Sequence, residues 1–222
     1  MQSVQEQRLI TTEENTMSDP NYFVITVAKV EPDYFNTAVE QANSVIDELK
    51  SKAGALTVTL GRIGTGEHAG SVALFQSYEN LSGFDKALDI YAASSDYQAM
   101  MASGKVQVVM RNILKLHSVP FDQNPRDSMK YVVLTRAAAP ASSVETIAQL
   151  APIFAENGAM TLRFGTLATG SNAGNRLLGV TYPSMDAIEK TYDALGANAD
   201  YQAALGTFDI NYRGIIRVVS FA

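Results

Sequence analysis

The chain repeats itself, and that constrains its fold more than any other feature. Gly54-Ala55 recurs as Gly158-Ala159, Gly61 as Gly165, Thr65-Gly66 as Thr169-Gly170, Ala69-Gly70 as Ala173-Gly174 and Tyr78 as Tyr182. The longest match sets Asp96-Tyr97-Gln98-Ala99 against Asp200-Tyr201-Gln202-Ala203. Each of these pairs is 104 residues apart, so the two segments run in register without a gap, which chance does not produce. Outside the block small loop changes shift the offset. Tyr22–Thr26 answers to Tyr131–Thr135, and Met110–Ile113 to Tyr212–Ile215. The units are expected at 21–117 and 130–222. The segment 118–129, with Pro120 and Pro125, reads as a linker. Residues 1–20 read as an N-terminal extension, with Met17 a plausible start.

Within each unit the hydrophobic periodicity alternates between strand and helix. Tyr22 to Val30 is rich in β-branched and aromatic residues. Pro32 then opens a segment with apolar residues at Phe35, Ala38, Val39, Ala42, Val45, Ile46 and Leu49, a helical spacing that stops at Gly54. The second copy runs from Ser142 and Ser143 to Gly158, with Pro152 expected to kink or interrupt it. Leu56, Val58 and Leu60 alternate with Thr57, Thr59 and Gly61, as Met160, Leu162 and Phe164 do with Thr161, Arg163 and Gly165. A glycine-rich turn and a third strand follow. The second helix carries Leu81, Phe84, Leu88 and Tyr91, matched by Met185, Ile188, Tyr192 and Leu195, with Asn80 and Ser184 as caps. Val106–Leu116 and Phe208–Val219 are the last strands.

Strand, helix, strand, strand, helix, strand is the split βαβ, or ferredoxin-like, unit. Two helices cover one face of its sheet and leave the other bare. A bare sheet of several hundred Å² is more than a soluble monomer tolerates. The fold class expected is therefore α+β: two tandem ferredoxin-like units packed sheet to sheet as an intrachain barrel.

Composition removes several functions. The net charge is −6, half of it in residues 1–20, where four acids face one base. That leaves no basic field for a nucleic acid partner. No apolar run is long enough to span a bilayer and no secretory leader is evident, so no membrane partner and a cytoplasmic location are expected. With no cysteine there is no thiolate metal site or cysteine nucleophile. The stretch Gly61-Arg62-Ile63-Gly64-Thr65-Gly66 joins two strands and lacks a lysine, so it reads as a hairpin turn and not a phosphate cradle. His68 and His117 share no ligand spacing, so no metal and no cofactor are expected. Asp96-Tyr97-Gln98-Ala99 and its twin read as a structural turn, the tyrosine on the core and the aspartate as a cap.

The segments Ser77-Tyr78-Glu79-Asn80-Leu81 through Ser94-Ser95-Asp96-Tyr97-Gln98-Ala99-Met100, and Thr181-Tyr182-Pro183-Ser184-Met185 through Asp200-Tyr201-Gln202-Ala203, resemble the third strand, second helix and turn of the dimeric α+β barrel superfamily. Antibiotic-biosynthesis-type monooxygenases and NIPSNAP-like proteins are members. Tyr78 and Tyr182 stand where monooxygenase-like members often have tryptophan, and Tyr91 and Leu195 where they often have histidine. The resemblance implies two units closing on a shared lumen, and a homo-oligomer.

The function expected is binding of a small molecule in that lumen, as a cofactor-independent enzyme acting on an anionic or aromatic metabolite. The candidate ligand-binding residues are Thr57, Thr59, Tyr78, Arg111, Thr161, Arg163, Tyr182 and Arg213. Arginine would orient an anionic group, and tyrosine would stack or donate a proton. Two other classes remain open: a non-catalytic assembly protein forming a homo-oligomer, and a haem-binding barrel using His68 or His117.

Overall fold

The fold comes from a computed structural model that describes residues 19–125 and 128–222. All but Asp19 and Pro20 of the expected extension, and two residues of the linker, lie outside the described residues. The first unit runs β1 (Tyr22–Val30), a 3₁₀ turn (Pro32–Tyr34), α1 (Phe35–Ala53), β2 (Thr57–Ile63), β3 (Val72–Tyr78), α2 (Leu81–Ala93), α3 (Ser95–Ala102) and β4 (Val106–His117). The second runs β5 (Tyr131–Ala138), α4 (Ser143–Glu156), β6 (Thr161–Leu167), β7 (Arg176–Tyr182), α5 (Met185–Ala197), α6 (Ala199–Leu205) and β8 (Asp209–Phe221). The chain is α+β, and its eight strands close into one antiparallel barrel in the order β1-β3-β2-β8-β5-β7-β6-β4.

The helix signals act as their chemistry dictates. Gly54 takes a left-handed conformation (φ 70°) after α1 and its N–H donates to the Leu49 carbonyl, a closure that a side chain would oppose. The side chains of Asn80 and Ser184 accept backbone N–H groups at the starts of α2 and α5. Pro152 does not interrupt α4, which runs through it to Glu156. One hydrogen bond is lost there, but Leu150, Ala151 and Phe154 are all buried on either side and hold the helix to the sheet. Pro32 begins a 3₁₀ turn, and α1 starts only at Phe35. The repeated Asp-Tyr-Gln-Ala segments are short helices, not turns. Ser94 and Asn198 cap them, while Asp96 and Asp200 fall in the first turn.

Barrel closure explains the repeated Gly and Thr-Gly positions. Strand β2 pairs with β8 of the other unit, and β6 with β4. A Cβ on Gly61 would lie 3.0 Å from the Arg217 carbonyl oxygen, and one on Gly165 2.5 Å from that of Lys115. Glycine lets these strands approach across the seam. The Ile215 N–H donates to Thr65 Oγ1 (2.9 Å) and the Ile113 N–H to Thr169 Oγ1 (2.8 Å), so each hairpin clasps the last strand of the other unit.

Closure buries the inner face of the barrel and helices cover much of the outer face, while β4 and β8 keep exposed outward positions such as Val109 and Val219. The outer face packs on helices in two matching cores, around Val45, Leu49, Tyr78 and Ala87 in the first unit and Ile147, Phe154, Tyr182 and Leu195 in the second. The inner faces meet in a third core of Ile25, Val27, Ile63, Phe75, Leu114, Val132, Leu167, Leu177 and Ile216. This plugs the middle of the lumen. The ends are where space remains.

Candidate functional site in the barrel lumen

One end of the lumen holds a cavity of about 250 Å³. Its wall is mostly apolar, with Phe23, Ile25, Phe75, Leu114, Val132 and Phe221 among the lining residues. The two units contribute matching hydroxyl pairs. Thr57 Oγ1 meets Ser77 Oγ at 2.7 Å, and Thr161 Oγ1 meets Thr181 Oγ1 at 2.8 Å. These hydroxyls satisfy one another within the apolar wall.

The match breaks at one level. In the first unit Thr59 pairs across the strands with Phe75; in the second, the equivalent pair is Arg163 and Gly179. Gly179 is absent from the positive-φ glycines, so its backbone does not require glycine. Its absent side chain leaves room where Phe75 fills the other side. Into that room projects Arg163, whose side chain is 25% exposed. Its carboxylate neighbour among the described residues is Asp19, at 4.0 Å and itself 90% exposed. Burial makes the guanidinium harder to keep charged than in water, and Asp19 only partly opposes this. A cation held in an apolar wall, with only a distant carboxylate among the described residues, favours an anionic partner.

Of the residues expected to form the site, Thr57, Thr59, Thr161 and Arg163 line this cavity. The other four do not. Tyr78 and Tyr182 follow Ser77 and Thr181 in sequence and therefore point to the opposite face, into the cores beneath the helices. Burial pushes both phenols up, so they remain protonated. Arg111 also lies outside the lumen. Its Nε donates to Thr26 Oγ1 (3.0 Å), an η nitrogen to Tyr97 Oη (3.3 Å), and its guanidinium carbon lies 4.4 Å from the Tyr91 ring centroid. Arg213 repeats this with Thr135, Tyr201 and Tyr192. Both arginines tie the short helices to the sheet. Tyr91, stacked on Tyr97, is pushed up to about 12, chiefly by burial.

Neither histidine reaches the cavity. His117 Nε2 lies 2.7 Å from Thr166 Oγ1 and 3.1 Å from an Arg176 η nitrogen on the outer face of the barrel. Burial, and then the neighbouring Arg176 and Lys115 cations, hold its pKa below the usual imidazole value. His68 stands at the opposite end of the lumen. Among the described residues no three His, Cys, Asp or Glu side chains cluster as metal ligands. No helix among them is long and apolar enough to cross a membrane. The residues that sequence reasoning passed over are Gly179, Phe75, Ser77 and Thr181. The signal was available, since Phe75 and Gly179 are 104 residues apart, matching positions that carry a large ring in one copy and no side chain in the other.

Solved structures share this fold across nearly the whole chain. A proposed monooxygenase from Fusobacterium nucleatum superposes with a TM-score of 0.64 at 11% identity, covering 91% of this chain and 94% of that one. A proposed monooxygenase from Lactobacillus acidophilus gives 0.59 at 13% identity, covering 92% and 96%. A variant of chlorite dismutase from Candidatus Nitrospira defluvii gives 0.60 at 9% identity, covering 91% and 93%. At these identities the likeness is one of fold. No curated protein matches the chain. The family described as a domain of unknown function, DUF6854, matches residues 20–116 and again 129–218, and the chain belongs to that family.

Proposed function

We propose that the protein binds a small organic acid in its lumen, with the ligand's anionic group against Arg163 and its apolar body along Phe23, Phe75 and Leu114. The observation that carries this is the Arg163–Gly179 pair, set where the other unit has Thr59 and Phe75. A barrel needing only to be filled would repeat the phenylalanine. The second unit instead leaves a void of a size suited to a small ligand and lines it with a cation whose carboxylate neighbour among the described residues is 4.0 Å away. The hydroxyl pairs Thr57–Ser77 and Thr161–Thr181 supply neutral donors and acceptors beside it. Fold neighbours described as proposed monooxygenases and as anthrone oxidase-like support a small-molecule barrel in general terms. Cofactor-independent chemistry on such a ligand is part of this reading.

Native mass spectrometry and calorimetry against a panel of benzoate-like and short aliphatic carboxylates test it. Arg163→Gln is expected to weaken the best binder roughly 10- to 100-fold, the loss of a charge-assisted contact. Arg111→Gln should leave binding unchanged. No binder in the panel, or one indifferent to Arg163→Gln, refutes the proposal.

Assembly into a homo-oligomer is compatible with this reading. Leu81 and Met185, matching positions at the starts of α2 and α5, are 40% and 47% exposed, and Leu88 is 45% exposed. Light scattering at a monomer mass would remove it. A haem-binding barrel is the other reading. The cavities between sheet and helices, of about 70 and 50 Å³, are not lined by histidine and His117 is engaged by Thr166 and Arg176, so that reading would rest on His68 at the far mouth of the lumen.

A further inference from the structure

The opposite mouth of the barrel holds a second pocket of about 50 Å³. Its floor is Ile25, Leu134 and Leu177, the side chains that also close the inner end of the first cavity. Four ionisable residues from three elements converge on it: Glu67 and His68 from the β2–β3 turn, Arg136 from β5 and Tyr212 from β8. At the matching places the other copy has Ser171, Asn172, Val27 and Met110. None of those ionises, and that half closes equally well. The fold therefore does not require the cluster.

Arg136 is the centre of it. Its side chain is only 15% exposed. Nε donates to Asn211 Oδ1 at 2.7 Å, and the guanidinium carbon lies 5.5 Å from the Tyr212 ring centroid. Its carboxylate neighbour among the described residues is Glu67, 4.0 Å away and 55% exposed. His68 Nε2 stands 3.4 Å from the same Glu67 oxygen. Of the five N–H groups on the Arg136 guanidinium, one has a short contact among the described residues.

The geometry repeats the near mouth. In both, an inward arginine from the second unit meets an exposed acid at the outer limit of an ion pair. An acid so exposed and so distant holds its partner weakly, and an entering anion can replace it. We propose that the far mouth is a second anion site, formed by Arg136 with His68 and Tyr212 at its rim, and that Glu67 is the carboxylate the anion displaces. The ligand is compact. A water needs roughly 10–15 Å³ of such space, so the pocket holds about four heavy atoms, the size of acetate or nitrate.

Amide NMR titration of the full chain with acetate and with nitrate, at constant ionic strength, tests this independently of the near-mouth cavity. Saturable shifts are expected at Gly66, Glu67, His68 and Arg136. Arg136→Gln should weaken them at least 10-fold, and Arg163→Gln should leave them unchanged. Glu67→Gln should tighten binding several-fold, because it removes the competing carboxylate. Shifts that never saturate, or that persist in Arg136→Gln, overturn the site. Should Arg136→Gln fail to fold, Glu67→Gln decides alone: tighter binding supports the proposal, and weaker or unaltered binding overturns it.

Discussion

Replacing Arg163 and Gly179 together by threonine and phenylalanine would give the second unit the lining of the first. The structure supplies the template, since Thr59 and Phe75 already occupy the equivalent cross-strand pair. A phenylalanine ring buried in the cavity contributes about 1.5–3 kcal/mol by leaving water. Removing a glycine from a strand interior adds about 0.5–1 kcal/mol. Against this, a Cβ at position 179 would lie 3.3 Å from Leu134 Cδ2, so that side chain must give by a few tenths of an ångström. A net gain of about 2 kcal/mol follows, or roughly 4–8 °C in melting temperature for a chain of this length. Gly179→Phe alone should gain less, because its ring must share the space with the Arg163 side chain opposite. Calorimetric melting with and without the best carboxylate ligand reads both effects. The double variant should melt higher and lose the ligand-induced shift. A double variant that melts no higher would mean the void is not held open at a cost in stability. One that still binds the carboxylate would remove the lumen from consideration.

Two further outcomes follow from packing and charge elsewhere. Gly83→Ala should destabilise by about 1–3 kcal/mol, read as a lower urea midpoint, because its Cβ would overlap the Tyr78 ring and lie 3.0 Å from the Ala53 carbonyl oxygen. For His117 the folded state lowers the pKa beneath the usual 6.5, so protonation favours the unfolded chain. Its contribution is complete above about pH 6.5 and is lost as pH falls toward the lower folded value. His117→Gln should therefore show a shallower loss of stability between pH 7 and 5 than the parent, and identical slopes would refute the assignment.

The architecture was legible because matched turns and helices fixed two copies of one unit, and a bare sheet face demanded a partner. The lumen was only half legible, for a reason rooted in closure. In a half-buried strand polarity marks the solvent side, but here the inner face is covered by the opposite wall and much of the outer face by helices. Polar residues then carry no directional information. Gln76 and Tyr78 are polar yet lie under the helices, while Phe75 is apolar and faces the lumen. Arg111 and Arg163 look alike in sequence, but one stacks on Tyr91 outside the barrel and the other enters it. The short helices α3 and α6 were missed because seven or eight residues with little apolar periodicity resemble a turn.

Joining both units in one chain also bears on why the lumen could acquire a single-sided cation. In a barrel of two identical copies, every inward substitution appears twice around the axis. An arginine at the level of Arg163 would then face a second arginine across an apolar space, where like charges repel far more than in water. It would also remove the phenylalanine that fills the other wall. Here Thr59 and Phe75 keep one wall packed and neutral, and Arg163 and Gly179 open the other. The same division holds at the far mouth, where Val27 and Met110 oppose Arg136 and Tyr212. Both inward arginines thus come from the second unit, and the first supplies the apolar wall opposite them.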